Sequence, residues 1–426
     1  MDVLTADVIG DIALVLIVSS LLGAIARRCG QPRVIGQIIG GILLGPSALG
    51  RLPGHLSTRL FPSGVLPFLN VLAQVAVVIF MFAVGYELET RALRGRIRAV
   101  PLIAAFALLV PMAVGTGAAV IFRSSFAALG EPHLTKSFAL FMGVALAITA
   151  LPVLAAIVRE SGLAGSVAGV TATSAAGIMD VVAWVALGAA VAGTANKPGP
   201  PWPVTLLLVA GFAAVMILVV RPVLRRWIVR RRSVLSSQLM VALVLALGSA
   251  WVTASLGLHP VFGGFLAGLT MPSADGTPDA DVLRTVEDVA TLLLPLFFVV
   301  TGLSVNVGAL DGAALTVLAV VCVTASAGKL GPGYAASRIG GLGRRDAATV
   351  AVLVNTRGLT ELIALNVGLS TGMIDKRLFS VLVIMAVIMT MGTAPLLWLI
   401  RRRPAASAVS EPQRVAPSAG QDNGQM

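Results

Sequence analysis

The sequence predicts an all-α polytopic membrane protein of about thirteen transmembrane helices, arranged as an inverted repeat. Composition is the first observation behind that fold class. Of 426 residues, 57% are hydrophobic and 12% charged, and the mean hydropathy is +0.95, whereas a soluble domain carries roughly 25% charged residues. The second is the recurrence, from one end of the chain to the other, of apolar runs long enough to cross the hydrocarbon of a bilayer. The third is that several short strings recur seven runs further on.

The spans lie near 7–26, 33–49, 66–87, 99–122, 137–158, 167–193, 203–224, 234–256, 258–272, 289–305, 312–338, 347–369 and 378–400. The second and ninth are short and Gly-rich, and the count falls to twelve if one of them fails to cross. Arg clusters follow spans 1, 3, 7, 11 and 13: Arg27/Arg28/Arg33, Arg91/Arg94/Arg96/Arg98, Arg225/Arg226/Arg230/Arg231/Arg232, Arg338/Arg344/Arg345 and Arg401/Arg402/Arg403. All five follow odd-numbered spans, so they share one face, which the positive-inside rule makes cytoplasmic. The N-terminus is then outside and the C-terminus inside, in a multi-pass protein of the cell membrane. The first residues, MDVLTADVIGD, lack a basic region, so no cleaved signal peptide is expected. Residues 401–426 are polar and rich in Ala, Ser and Pro, and read as a disordered cytoplasmic tail.

The internal echoes pair VIGQIIGGILLGPS with VFGGFLAGLTMPS, FMFAVGYELE with LFFVVTGLSVN, and the interruptions TALPV (149–153) and NTRGL (355–359). An offset of seven spans turns the second copy upside down in the membrane, and paired broken helices of that kind line a binding site. The small-residue spacings Gly36/Gly40 and Gly264/Gly268 allow close helix approach, within the chain or across a dimer.

The net charge of +12 lies mostly in the short Arg-rich loops, which suits anionic lipid and not nucleic acid. Two cysteines, Cys29 and Cys322, make neither a disulfide framework nor a metal site. His55, His133 and His259 have no ligand spacing, and His259 before Pro260 reads as a turn residue. No nucleophile–base set and no nucleotide loop is present in the sequence, so no cofactor is expected and the chain does not read as an enzyme.

Chemistry concentrates in a few charges inside apolar spans. Asp180 is the only charged residue between Glu160 and Lys197. A carboxylate there costs about 2.5–3.5 kcal/mol on insertion scales. A proton and a monovalent cation can compete for its oxygens; the alternative is a structural acid paired with a neighbouring helix. Lys329 is the only charge between Asp311 and Arg338, and one of just four lysines among 31 basic residues. Lysine can release its proton when desolvated and arginine effectively cannot. Lys329 therefore reads as a switchable partner of Asp180, or else as a fixed structural cation. Arg357 and Glu361, at i and i+4, are either a buried pair that steadies a broken helix or a gate near the ion path. Asn355 and Thr356, like Thr149 and Pro152 in the other interruption, would place oxygens and unpaired backbone carbonyls at the breaks. Glu87, near the inner end of span 3, either faces Arg91 or helps to admit cations. One lone acid and one lone amine, each deep in a span, is the wiring of an ion-coupled carrier.

The strings QPRVIGQIIGGILLGPSALGR, FMFAVGYELE, GVALAITALPVLAAIVRE, MDVVAW, HPVFGGFLAGLTMP, LPLFFVVTGLSVNV, AGKLG and NTRGLTELIALNVG resemble the monovalent cation:proton antiporter superfamily. The branch is that of the plant cation/H+ exchangers and the bacterial Na+/H+ and K+/H+ antiporters. The likeness runs in order from about residue 27 to 400. It implies exchange of Na+ or K+ for protons by elevator-type alternating access, two crossing broken helices, and a homodimer in the lipid bilayer formed by spans 1–3 with 8–10. It also implies scaffold helices over 1–98 and 234–311, core helices over 99–194 and 312–400, and a linker helix over 195–233. Asp180 matches the ion-binding acid of the superfamily and Lys329 its embedded lysine. The residue before that acid is usually Asp or Asn, and here it is Met179. That departure keeps in view a proton-coupled carrier of an organic cation or drug, and a potassium-efflux channel-like protein is a further alternative.

Overall fold

The computed structural model describes residues 3–51, 56–94, 99–129, 135–192, 202–231, 234–256, 259–272 and 277–402. The tail from residue 403, the residues His55, Arg96, Arg98, His133, Lys197 and Arg232, and the side chains of Arg91, Arg94, Pro152, Arg230 and Arg231 lie outside that description. The described residues form helices joined by short turns. In order they are α1 (Val3–Arg28), α2 (Arg33–Leu44), α3 (Leu56–Leu60), α4 (Leu66–Arg94), α5 (Ala99–Ile121), α6 (Arg123–Ala128), α7 (Lys136–Ala147), α8 (Leu151–Glu160) and α9 (Val167–Ala192). Then follow α10 (Trp202–Val215), α11 (Arg221–Arg231), α12 (Leu235–Ser255), α13 (Pro260–Thr270), α14 (Ala280–Leu303), α15 (Gly312–Ile339), α16 (Arg344–Val354), α17 (Leu359–Ser370) and α18 (Lys376–Arg402). Among the described residues eleven helical stretches are long and apolar enough to cross a membrane, and Lys136–Ala147 and Pro260–Thr270 are shorter apolar helices. A count of thirteen requires both short helices to take part in crossings.

The polarity of this fold is inverted at its surface. Ile121, Leu207, Trp251 and Val185 are at least 70% exposed, as outward apolar side chains should be when the solvent is lipid. Helix ends carry local caps. Thr135 Oγ1 accepts from Phe138 N at 3.2 Å, Asp279 Oδ1 from Asp281 N, and Asp375 Oδ1 from Leu378 N. His259 is the N-cap of α13, with Pro260 in the first turn.

Two packing groups emerge. In one, α4 packs on α13 and α14, α12 on α13, and α2 on α1 and α14. Glycines make these contacts close. A Cβ at Gly36 would meet Leu22 O at 2.1 Å, and one at Gly268 would meet Phe82 O at 2.1 Å. The small-residue spacings are therefore used within the chain. In the other group α5 packs on α7, α9 and α15, α15 on α16 and α18, and α9 on α16. Between them in sequence, α10 runs through a π-helical turn (Met216–Val220) into α11; Met216 is buried while Leu218 is 71% exposed.

Candidate functional site at the crossing of two broken helices

Both interruptions expected from the sequence are real breaks. α7 stops at Ala147 and α8 starts at Leu151; α16 stops at Val354 and α17 starts at Leu359. Pro152 sits in the first turn of α8, where its missing N–H is harmless. Gly358 turns the second break with φ 152°, a region that side chains avoid. A Cβ there would lie 2.7 Å from Val153 Cγ2, so the residue also permits the two breaks to touch.

A broken helix leaves carbonyls at one stump and N–H groups at the other. Here the two breaks satisfy each other. Ala150 N donates to Thr356 O at 3.1 Å, Thr149 Oγ1 to Val354 O at 2.8 Å, and Thr360 Oγ1 to Thr149 O at 3.1 Å. Thr390 on α18 completes the second break, donating to Arg357 O at 2.6 Å and accepting from Arg357 N at 3.2 Å.

A buried cation closes each carbonyl stump. Arg357 is fully buried. Its Nη1 donates to Ala145 O at 3.0 Å and Ile148 O at 3.1 Å, and its Nη2 to Leu146 O at 2.5 Å. Ile148 O is the carbonyl that Pro152, four residues on, leaves without an N–H; it is capped by Arg357 and not open to a cation. The pair with Glu361 forms as the i,i+4 spacing indicates, Nη1 to Oε1 at 3.3 Å, with both side chains fully buried. Lys329, also fully buried, donates from Nζ to Val354 O at 3.2 Å at the end of α16, and to Thr149 Oγ1. Positive charge at these ends also opposes the negative pole of each half-helix.

Asp180 lies on α9, which packs against α7, α8 and α16. It is 1% exposed, and Oδ2 has no hydrogen-bond partner. Among the described residues no ion pair joins Asp180 and Lys329, whose ammonium donates to Thr149 and Val354. Two more buried oxygens at the second break are unpartnered, Asn355 Oδ1 and Thr356 Oγ1. Asp180 Oδ2, Asn355 Oδ1 and Thr356 Oγ1 are oxygens of the kind a hard cation takes as ligands. Met179, next to Asp180 in sequence, is buried in the apolar core and carries no oxygen in its side chain.

Glu87 lines a cavity of about 740 Å³ with Glu160, Glu287, Arg33 and Arg159. The cavity reaches Leu151 and Leu359, the first residues of α8 and α17. Three contributors escaped the sequence reading. Thr360 and Thr390 were legible only as hydroxyls in apolar runs, and Glu287 only as an acid near a helix start.

A sequence profile described as "Sodium/hydrogen exchanger, transmembrane" matches residues 14–399. The chain is 36% identical over 409 residues to the Na(+)/H(+) antiporter NhaS4 of Synechocystis, covering 93% of this chain and 98% of that one. It is 37% identical over 398 residues to Cation/H(+) antiporter 20 of Arabidopsis thaliana, covering 90% of this chain and 47% of the relative, so it spans about half of that protein. It is 29% identical to K(+)/H(+) antiporter 1 of Saccharomyces cerevisiae, covering 91% of this chain and 45% of that one. In three dimensions it resembles the sodium proton antiporter MjNhaP1 of Methanocaldococcus jannaschii, with TM-score 0.67, 16% identity, and coverage of 94% and 99%. That likeness is one of fold.

Proposed function

Because the chain belongs to the transmembrane sodium/hydrogen exchanger family, we propose that it is a secondary active transporter exchanging a monovalent cation, Na+ or K+, for protons. One observation carries the reading: a buried carboxylate oxygen of Asp180, without a partner, on the helix packed against the broken helices. Such a group is costly until something binds it. A proton or a cation relieves the cost, and the same oxygens cannot hold both, so competition at Asp180 is the coupling. Asn355 Oδ1 and Thr356 Oγ1 would complete the shell of the cation. Thr149, Pro152, Arg357 and Lys329 hold the crossing in shape. The relatives named as Na+/H+ and K+/H+ antiporters support exchange and divide over the cation.

Access is by an elevator-type movement. The core helices over 99–194 and 312–400 travel against the scaffold over 1–98 and 234–311, with 195–233 as the linker. Glu87 and the cavity admit ions from the Arg-rich face, which the charge pattern makes cytoplasmic. The scaffold also pairs two copies through spans 1–3 and 8–10. Native mass in lipid nanodiscs should be twice that of the chain, and a fully active monomer contradicts the pairing.

The test is dequenching of a pH-sensitive dye in proteoliposomes given Na+, K+, Li+ or Rb+. Asp180→Asn should abolish exchange while the protein stays monodisperse, since an amide keeps the shape but cannot take and release a proton. Wild-type rates in that variant overturn the assignment. Cation flux without proton movement would favour the channel-like function.

A further inference from the structure

The cavity meets the start of α17 at Leu359, and Asn366 lies further along the same helix. The cavity runs from Arg33, Arg159 and Glu160 to Leu359 at the start of α17. Arg33 and Arg159 belong to the face on which Arg345 bonds to Arg401 O, and Arg401 to Ser161 O. Beyond Leu359, α17 runs the other way, toward the face where Ser47 Oγ donates to Val305 O and Asn306 N donates to Ser380 Oγ. On that side a polar contact joins α17 to α14: Asn366 Nδ2 donates to Thr301 Oγ1 at 3.1 Å. Thr301 is 1% exposed and Asn366 is partly buried. The Asn366 amide has two N–H groups, and Nδ2 also bonds to Leu362 O at 2.9 Å within its own helix. One donor thus stays at home and the other crosses between the packing groups.

A polar bond between two helices is directional and short-ranged. Apolar surfaces can slide past one another; this pair cannot without separating. It joins the half-helix that begins at the crossing to a helix packed on α4 and α2. We propose that the Asn366–Thr301 contact is the outer latch of the transport cycle, closed while the cavity is open to the Arg-rich face and parted when the site opens to the other side. This rests on the alternating-access reading, and it assigns Asn366 and Thr301 as positioning residues that set which side is open. Neither belongs to the cation shell proposed at Asp180, Asn355 and Thr356.

The test uses full-length protein in proteoliposomes, in a Cys29→Ser/Cys322→Ala background. Thr301→Cys with Asn366→Cys is joined by a short bis-thiosulfonate cross-linker that reductant reverses. Cross-linking should stop cation/proton exchange, reductant should restore it, and each single cysteine variant should be indifferent to the reagent. In the cross-linked protein a further Ala155→Cys on the cavity wall should still react with an impermeant maleimide from the Arg-rich side, which shows that the lock is on the open-inward state and not a collapse of the fold. Undiminished exchange with the cross-link in place overturns the latch, and so does failure of the pair to cross-link. Loss of the Ala155→Cys reaction on cross-linking overturns it as well. Absence of exchange before cross-linking, with the parent active, would mean that the contact is structural and not a latch. Absence in the parent too would count against the antiport reading, and the latch would then fail with the cycle it serves.

Discussion

Arg357 places a full charge out of reach of solvent, and the number of its partners explains why it is tolerated. Breaking a buried pair by removing one member costs about 3–5 kcal/mol, since the other charge is left uncompensated. Arg357→Met would strand Glu361 and, in addition, the three carbonyls at the end of α7. A large fall in melting temperature is expected, and Arg357→Lys should recover only part of it, because one ammonium cannot span three carbonyls and a carboxylate in the fork geometry of guanidinium. Melting of both variants within error of wild type would show that the clamp is dispensable. The sequence displayed the Arg357–Glu361 spacing, and the pair forms. The service to α7 was hidden, because its acceptors lie more than 200 residues earlier. Lys329 shows the same limit: its isolation marked it as important, but isolation does not say which oxygen an amine will meet, and the nearest acceptors proved to be Thr149 and Val354 O.

Elements were legible where a residue's backbone chemistry is decisive. Pro152 and Gly358 mark the two breaks because proline suits a helix start and glycine alone is at ease at φ 152°. How the breaks lie across one another depends on Thr149, Thr360 and Thr390, hydroxyls that read alone as ordinary polar residues in apolar runs. Caps were similarly local. Asp311 begins α15, accepting from Ala314 N at 3.0 Å, and it also pairs with Arg377 at the start of α18. The Ala314 N–H first, and the Arg377 guanidinium second, hold its carboxyl below the ordinary value of 3.8. A depressed carboxylate stabilises the fold above its unfolded value and loses that contribution as pH falls through its folded value. Asp311→Asn, which can still cap the helix, should therefore melt slightly below wild type near neutrality. The gap should close on acidification below about pH 4. A gap that is constant with pH would mean that the charge of Asp311 plays no part.

At the scale of the molecule, the charges around the crossing decide what moves with the ion. Lys329 and Arg357 are balanced by Glu361 and Asp180, all four buried. One proton or one monovalent cation at Asp180 adds the same single positive charge, so both loaded forms carry equal charge through the membrane. The cycle expected from competition at Asp180 alone is one cation for one proton, which voltage would neither drive nor oppose. A second proton travelling on Lys329 would break that equality, moving one net charge coupled at about 2.3 kcal/mol per 100 mV. Thr149 Oγ1 and Val354 O are satisfied by the two N–H groups of an amine as well as by an ammonium, so the single site at Asp180 sets the expected outcome. Recordings on a solid-supported membrane should accordingly show no sustained current when a cation gradient is applied to proteoliposomes. Lys329→Arg, which keeps a cation that cannot release its proton, should leave that result unchanged wherever it still exchanges. A sustained cation-driven current in the wild type, lost in Asp180→Asn and abolished by Lys329→Arg, would instead make Lys329 the carrier of a second proton.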